Sequence, residues 1–391
     1  MNDDLRTEIA RLEPELVAWR RDFHRHPETA YQEHRTSRVI REHLTELGVP
    51  FTVMASTGVR AVIHGRPGGR TVALRADMDA LPIQEESGAE YASQNPGAMH
   101  ACGHDGHMAI ALAVASVLAA RRERLPGDVV LIFQPSEERL PGGASAMIRD
   151  GALEGVDAIF GLHLWQPLAN GQVGLVAGPM MAEPDTFELT VTGRGGHAAM
   201  PQQTVDPILA AAQTVVNVQS IVSRNRAPLT PLVVSFGSIH GGTADNIIPD
   251  EVVLIGTVRT LDDATQALAE RRLREIVTAS AATFGATAAL TYTRGYPPLV
   301  NDPALVELAR AVATRTLGAG RVTDIQPVMG GEDFAYYLQR VPGVFVFLGT
   351  GSRPYPHHHP RFDIDESLLP DAALLMTALA LEFLARPAAH S

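Results

Sequence analysis

Three short runs that are apolar almost throughout narrow the fold most: "TVALRAD" (71–77), "DVVLIFQ" (128–134) and "DAIFGLHLW" (157–165). A strand with one wet face alternates polar and apolar residues. A strand that does not alternate is covered on both faces, the usual state of parallel sheets. Helical stretches fall between these runs, at 105–122 and about 143–150. Helical spacing at 5–22 and 35–47 and a further β-rich run, "AVIHG" (61–65), precede them. Strands alternating with helices predict an α/β domain whose sheet is largely parallel.

From residue 185 the rhythm changes. "DTFELTVTG" reads as a strand, 204–223 as a helix, "LVVSFGSIHGG" and "EVVLIGTVRTL" as two strands, 263–284 as a helix and 287–294 as a strand. The order β-α-β-β-α-β is that of a small ferredoxin-like α+β domain. "GYPPLVNDP" (295–303) then reads as a return linker, followed by a helix (303–316), the strand "GVFVFLG" (343–349) and a last helix (367–385). The expectation is a discontinuous α/β domain, 1–180 with 296–391, interrupted by an inserted α+β domain at 181–295.

The net charge is −12, from 32 basic and 44 acidic residues, which argues against a nucleic-acid partner. A single cysteine excludes an internal disulfide framework. The first residues, "MNDDLRTEIARLEPELVAWRR", carry charge where a signal peptide would be apolar. The longest apolar run, "MAIALAVASVLAA" (108–120), is shorter than the ~20 residues a membrane span needs. The expectation is a soluble, cytoplasmic protein with no membrane partner.

Metal-capable side chains gather at the carboxyl ends of the strands, where open α/β sheets place their ligand crevice. Asp77 and Asp79 follow "TVALRA", Glu137 and Glu138 follow "VVLIFQPS", His163 closes "AIFGLH", and His357 to His359 lie past "VFVFLG". Cys102 and His104 stand just before the apolar helix, in "MHACGHDGHM" (99–108). A lone cysteine in an apolar stretch is a small core residue. Between glycine and histidines its thiolate suits a borderline-soft cation. Two adjacent carboxylates at the end of a buried strand repel unless a cation or a shared proton compensates. His163, flanked by "FGL" and "LW", reads equally as a core histidine, and the triple histidine as a surface loop of which no more than one need bind. Taken together, a thiolate, three imidazoles and a carboxylate are enough for two metal ions, with the second glutamate left to move a proton. His26 and His107 read as structural.

In the inserted region "GRGGHAAMP" (193–201) puts His197 on a glycine-rich loop, as a surface histidine or as a donor reaching the metal site. "GGTADNIIPDE" (241–251) is either a plain turn or one that presents Asn246 to a substrate. Arg259, in "GTVRT", pairs with a substrate carboxylate or with a structural acid.

These segments, together with "RRDFHRHPETAYQE", "RADMDALPI", "FQPSEE", "GEDFAYY" and "HHHPRFDIDE", resemble the metal-dependent aminoacylase and carboxypeptidase family. The nearest branch is the amidohydrolases of N-acyl amino acids, which includes hippurate hydrolase and the plant auxin-conjugate hydrolases. The resemblance runs in matching order over nearly the whole chain. It implies that Cys102, His104, Glu138, His163 and His358 bind two divalent metal ions and that Glu137 is the general acid/base. His358 is chosen from the triplet because the branch has a histidine two residues before the proline, here Pro360. By the same resemblance His197 helps hold the oxyanion, often from a partner subunit, and Asn246 contacts substrate.

Many relatives carry a histidine at the position of Asp77 and a bridging aspartate near that of His104. With Cys102 and His104 there instead, the ions are Mn²⁺, Zn²⁺, Co²⁺ or Ni²⁺ according to availability. Asp77 and Asp79 then orient ligands. The implied substrate is a small N-acyl amino acid, hippurate-like or N-acetylated. The implied assembly is a homodimer or homotetramer through the inserted domain. Alternatives are a dipeptidase or carboxypeptidase, an N-acetyl-diamino-acid deacetylase, or a catalytically silent metal-binding relative. The presence of Glu137 and all five candidate ligands argues against the last.

Overall fold

The computed structural model describes residues 2–351 and 353–386; residue 1 and residues 387–391, at the ends of the expected outer domain, lie outside the described residues. The chain divides into two compact units. One comprises the residues up to Gly178, Val300–Gln326 and the residues from Asp333 onward; the other is Pro179–Leu299 with Pro327–Glu332.

The first unit is built on an eight-stranded sheet in the order Phe51–Met54, Gly58–Ile63, Asp128–Gln134, Thr71–Asp77, Ala158–Trp165, Gly343–Gly349, Val173–Leu175, Val322–Asp324. Its four middle strands are mutually parallel. Phe51–Met54 and Gly58–Ile63 add antiparallel pairings on one side, and Val173–Leu175 does so on the other. Gly343–Gly349 is buried at every position and Thr71–Asp77 at every position but its first, as two-faced cover requires.

Helix His104–Ala120 is apolar nearly all round and almost wholly buried, so it serves as a core helix. It shares one hydrophobic core with helices Pro303–Leu317 and Leu369–Leu384. The segment Glu366–Leu384 is long and apolar enough to cross a membrane, but 72% of its apolar window is buried inside the protein. Packing in the core accounts for its composition. The start of the His104–Ala120 helix is tied down by charge. Asp105, fully buried, accepts from Arg20 Nε at 2.8 Å and pairs with His24 Nδ1 at 2.7 Å.

The expected single helix at 5–22 is two helices, Asn2–Arg11 and Glu13–Arg25. Pro14 occupies the first turn of the second, where its missing N–H costs nothing but where it ends the preceding helix. "AVIHG" is shifted: the strand is Gly58–Ile63.

The second unit runs strand Glu183–Thr192, helix Pro207–Val218, strands Leu232–His240 and Glu251–Thr260, helix Asp263–Thr283 and strand Thr287–Thr293. Its sheet is antiparallel throughout, in the order Leu232–His240, Glu251–Thr260, Glu183–Thr192, Thr287–Thr293. Alternate residues of Glu251–Thr260 are buried, beneath the two helices. The helix expected at 204–223 is shorter: Asp206 caps it at Pro207, it ends at Val218, and a π-turn, Ile221–Asn225, follows.

Candidate metal centre

Asp77 ends its strand, and Glu137 and Glu138 come just after Asp128–Gln134. His163 lies two residues inside the end of Ala158–Trp165, paired across to Phe347. Gly103, at φ 93°, takes the left-handed turn that a side chain resists, so Cys102 and the first helical residue, His104, are delivered together. His358, also left-handed at φ 64°, is held by its N–H donating to Ala101 O at 2.8 Å.

The candidate ligand atoms converge. Cys102 Sγ is 3.5 Å from His163 Nε2, His358 Nε2 is 3.3 Å from Glu138 Oε1, and His104 Nε2 is 3.9 Å from the same oxygen. Cys102, His104 and His163 form one group of atoms all within 4.8 Å of one another; Cys102, Glu138 and His358 form another, sharing the thiol. All but Glu138 and the half-exposed His358 are buried.

The neighbours of each imidazole fix its tautomer. His104 Nδ1 lies 2.9 Å from Asp79 O and His163 Nδ1 lies 3.0 Å from Leu164 O. A carbonyl only accepts, so both Nδ1 atoms carry hydrogen and both Nε2 atoms are turned to the centre, where a cation can take the place of any second proton. His107 differs. Its Nε2 accepts from the Leu164 N–H at 2.9 Å and its Nδ1 contacts Asp77 Oδ1 at 2.6 Å, so neither nitrogen is left for a cation. Asp77 is likewise engaged, its Oδ2 accepting from Arg75 Nη1 at 2.6 Å.

His104 Nε2 and Glu138 Oε1 are buried without a hydrogen bond, a costly state that a bound cation would relieve. Burial alone would lower the pKa of His104. Asp77, Asp79 and Glu138 outweigh it and lift the value to about 10. Burial, with Glu138, Glu137 and Asp77 nearby, pushes the Cys102 thiol up. The carboxylates that raise His104 would equally favour a bound cation. A thiol, three imidazoles and a carboxylate in this arrangement fit divalent transition metals.

Two buried carboxylates shape the turn that bears Glu137. Asp79 accepts the N–H groups of Glu137 (2.9 Å) and Glu138 (3.0 Å), while Glu33 accepts that of Ser136 (2.9 Å). Ser136 sits at φ 53°, a left-handed conformation costing an L-residue about 1–2 kcal/mol. Gln134 and Arg75 both donate to the buried Asp333, at 2.8 and 2.9 Å. Sequence alone assigns no role to Glu33 or Asp333, because each is more than a hundred residues from its partners on this turn.

The other candidates belong to the second unit. His197 is exposed on the two-residue strand Gly196–His197, which pairs with Ile247–Ile248. Its Nδ1 accepts from the Ala199 N–H at 3.0 Å, so the neutral ring carries its hydrogen on Nε2 as a donor. Asn246, exposed and adjoining that ribbon, accepts through its backbone O from the Ala198 N–H at 3.1 Å. Arg259 is half-buried within Glu251–Thr260, and its Nε donates to Thr257 Oγ1 at 3.0 Å. Among the described residues Arg259 forms no ion pair.

The chain matches the family described as peptidase family M20/M25/M40 over residues 73–382. It is 42% identical to the N-acetyl-L-cysteine deacetylase of Bacillus subtilis over 94% of this chain and 88% of that one. It is 44% identical to the N-acyl-L-amino acid amidohydrolase of Geobacillus stearothermophilus over 76% of this chain and 81% of that one. Among solved structures, the YXEP protein of Bacillus subtilis, described as a dinuclear metal binding peptidase from the M20 family, superposes with a TM-score of 0.84. The two are 37% identical over 96% of this chain and 99% of that one.

Proposed function

Because the chain belongs to peptidase family M20/M25/M40, we propose that it hydrolyses the amide bond of N-acyl amino acids to a carboxylate and a free amino acid, with two divalent cations. The observation that carries this reading is the convergence of Cys102, His104, Glu138, His163 and His358, with two buried polar atoms left over for a cation. The deacetylase and amidohydrolase named above supply the substrate class.

When bound, the cations would polarise the amide carbonyl and acidify a water molecule. Glu137, held by its backbone at the end of Asp128–Gln134, takes the proton from that water and returns it to the departing amine. His104 and His163 are kept in the ligating tautomer by the carbonyls of Asp79 and Leu164. His197 donates from Nε2 to the developing oxyanion, and Asn246 and Arg259 contact the substrate. A second copy of the chain docks through the second unit, whose edge strand Leu232–His240 carries the exposed Ile239.

The test is amine release from N-benzoylglycine, N-acetylated amino acids and dipeptides, using chelator-stripped protein reloaded separately with Mn²⁺, Zn²⁺, Co²⁺ and Ni²⁺. Metal-restored release from the N-acyl amino acids supports the reading. Release from the dipeptides alone moves it to a peptidase, and no release with any metal contradicts it.

A further inference from the structure

We propose that Glu33 is a positioning residue for Glu137: its buried carboxylate pins the left-handed turn at Ser136 and so aims the base. The inference rests on the reading of Glu137 given above.

Glu33 and Ser136 are both fully buried. Glu33 Oε1 accepts two backbone N–H groups, from Tyr31 and from Ser136, each at 2.9 Å. Both donors are non-glycine residues with positive φ, 60° at Tyr31 and 53° at Ser136. The second oxygen, Oε2, accepts from Thr57 Oγ1 at 2.6 Å. One oxygen therefore anchors two turns that their own side chains disfavour.

The consequence for the base follows from the chain path. Consecutive N–H groups of Ser136, Glu137 and Glu138 all point at buried carboxylates, the first at Glu33 and the next two at Asp79. From the other side, Ser136 O accepts from the Gly143 N–H at 2.8 Å. Without Glu33, the Ser136 N–H loses its acceptor in a dry site. The turn then relaxes toward an ordinary φ, and the peptide leading into Glu137 swings. Asp79 still holds the N–H groups of both Glu137 and Glu138, so the candidate ligand Glu138 stays and the displacement falls on the Ser136–Glu137 peptide, which sets the direction of the base. A proton on Oε2 leaves the two bonds to Oε1 intact, so an amide at this position performs the same task.

The experiment compares Glu33→Ala, Glu33→Gln and the double substitution Glu33→Ala with Ser136→Gly. The readouts are kcat, KM, bound metal per chain, and hydrogen exchange of segment 133–140 in chelator-stripped protein. Glu33→Ala is expected to lower kcat about 10- to 100-fold, the cost of a base misplaced by an ångström or so, with KM and metal content unchanged and exchange of the segment accelerated. Glu33→Gln keeps kcat and protection. Adding Ser136→Gly to Glu33→Ala restores both, because glycine takes the left-handed turn unaided. A folded Glu33→Ala protein with wild-type kcat and exchange overturns the proposal, as does a loss of kcat that follows loss of metal. If Glu33→Ala does not fold, Glu33→Asp decides: it keeps the charge but not the reach, so lowered kcat with faster exchange supports the proposal and wild-type values overturn it. If the wild type turns over none of the substrates, the functional reading fails while the exchange comparison still decides the role of Glu33.

Discussion

In the first unit the side chains that carry charge chemistry are mostly buried, and His104, His163 and the Glu137–Glu138 turn each have a hydrogen bond that fixes their orientation. In the second unit His197 stands exposed on a short ribbon and Asn246 exposed beside it, with His197 oriented by one local backbone N–H. The contrast fits the two tasks proposed for these regions. A centre meant to hold cations needs its lone pairs fixed in a dry pocket, because a misdirected imidazole there cannot be corrected by solvent. A donor that meets a substrate gains from an exposed, locally supported loop.

Substitutions should therefore divide along the same line. The largest effect is expected from Glu137→Gln, which removes the proposed proton carrier and leaves the candidate ligands in place. Turnover should fall about a thousandfold while elemental analysis still finds two metal ions per chain; near-normal turnover would remove Glu137 from its role. His197→Ala comes next, with kcat about a hundredfold lower. Metal content should be unchanged, and stability should move by less than about 0.5 kcal/mol, as an exposed site implies. A marked drop in thermal stability would erase the contrast between the two regions.

The smallest effect is one of pH, and both units carry it. Burial raises Glu33 in the first unit and Glu183 in the second to about 7, from an ordinary 4.5. Each folded carboxyl binds its proton more tightly than the unfolded one. The stability it lends is whole below about pH 4.5 and is lost as pH rises to about 7. Denaturant midpoints of Glu33→Gln and Glu183→Gln proteins should each decline less over that window than the wild type; an unchanged slope would mean that the carboxyl does not titrate there.

Much of the fold was legible because burial on two faces writes itself into sequence. Thr71–Asp77, Asp128–Gln134 and Gly343–Gly349 have the limits their apolar runs suggest. Phe51–Met54, Val173–Leu175 and Val322–Asp324 were not seen, since strands of three or four residues near a sheet edge carry too little pattern. The break between the first two helices was hidden because apolar spacing continues across Leu12 and Pro14. The region of the candidate centre could be picked out because metal-capable residues gather at strand ends and at the start of the apolar helix; the choice of five among them came from the family resemblance. Glu33 could not, because its partner Ser136 lies 103 residues away and neither residue looks unusual alone. The histidines show the same limit. Sequence presents His104 and His107 as neighbours in one motif, and only the bonds to Asp79, Asp77 and Leu164 separate a nitrogen open to a cation from one already spent.

The most direct test of the account is to titrate a divalent metal into chelator-stripped protein and follow amine release and bound metal together. The expected result is no release without metal, and a rise that reaches its plateau at two equivalents per chain. Full release from stripped protein, or a plateau with no dependence on bound metal, would contradict a centre built from Cys102, His104, Glu138, His163 and His358.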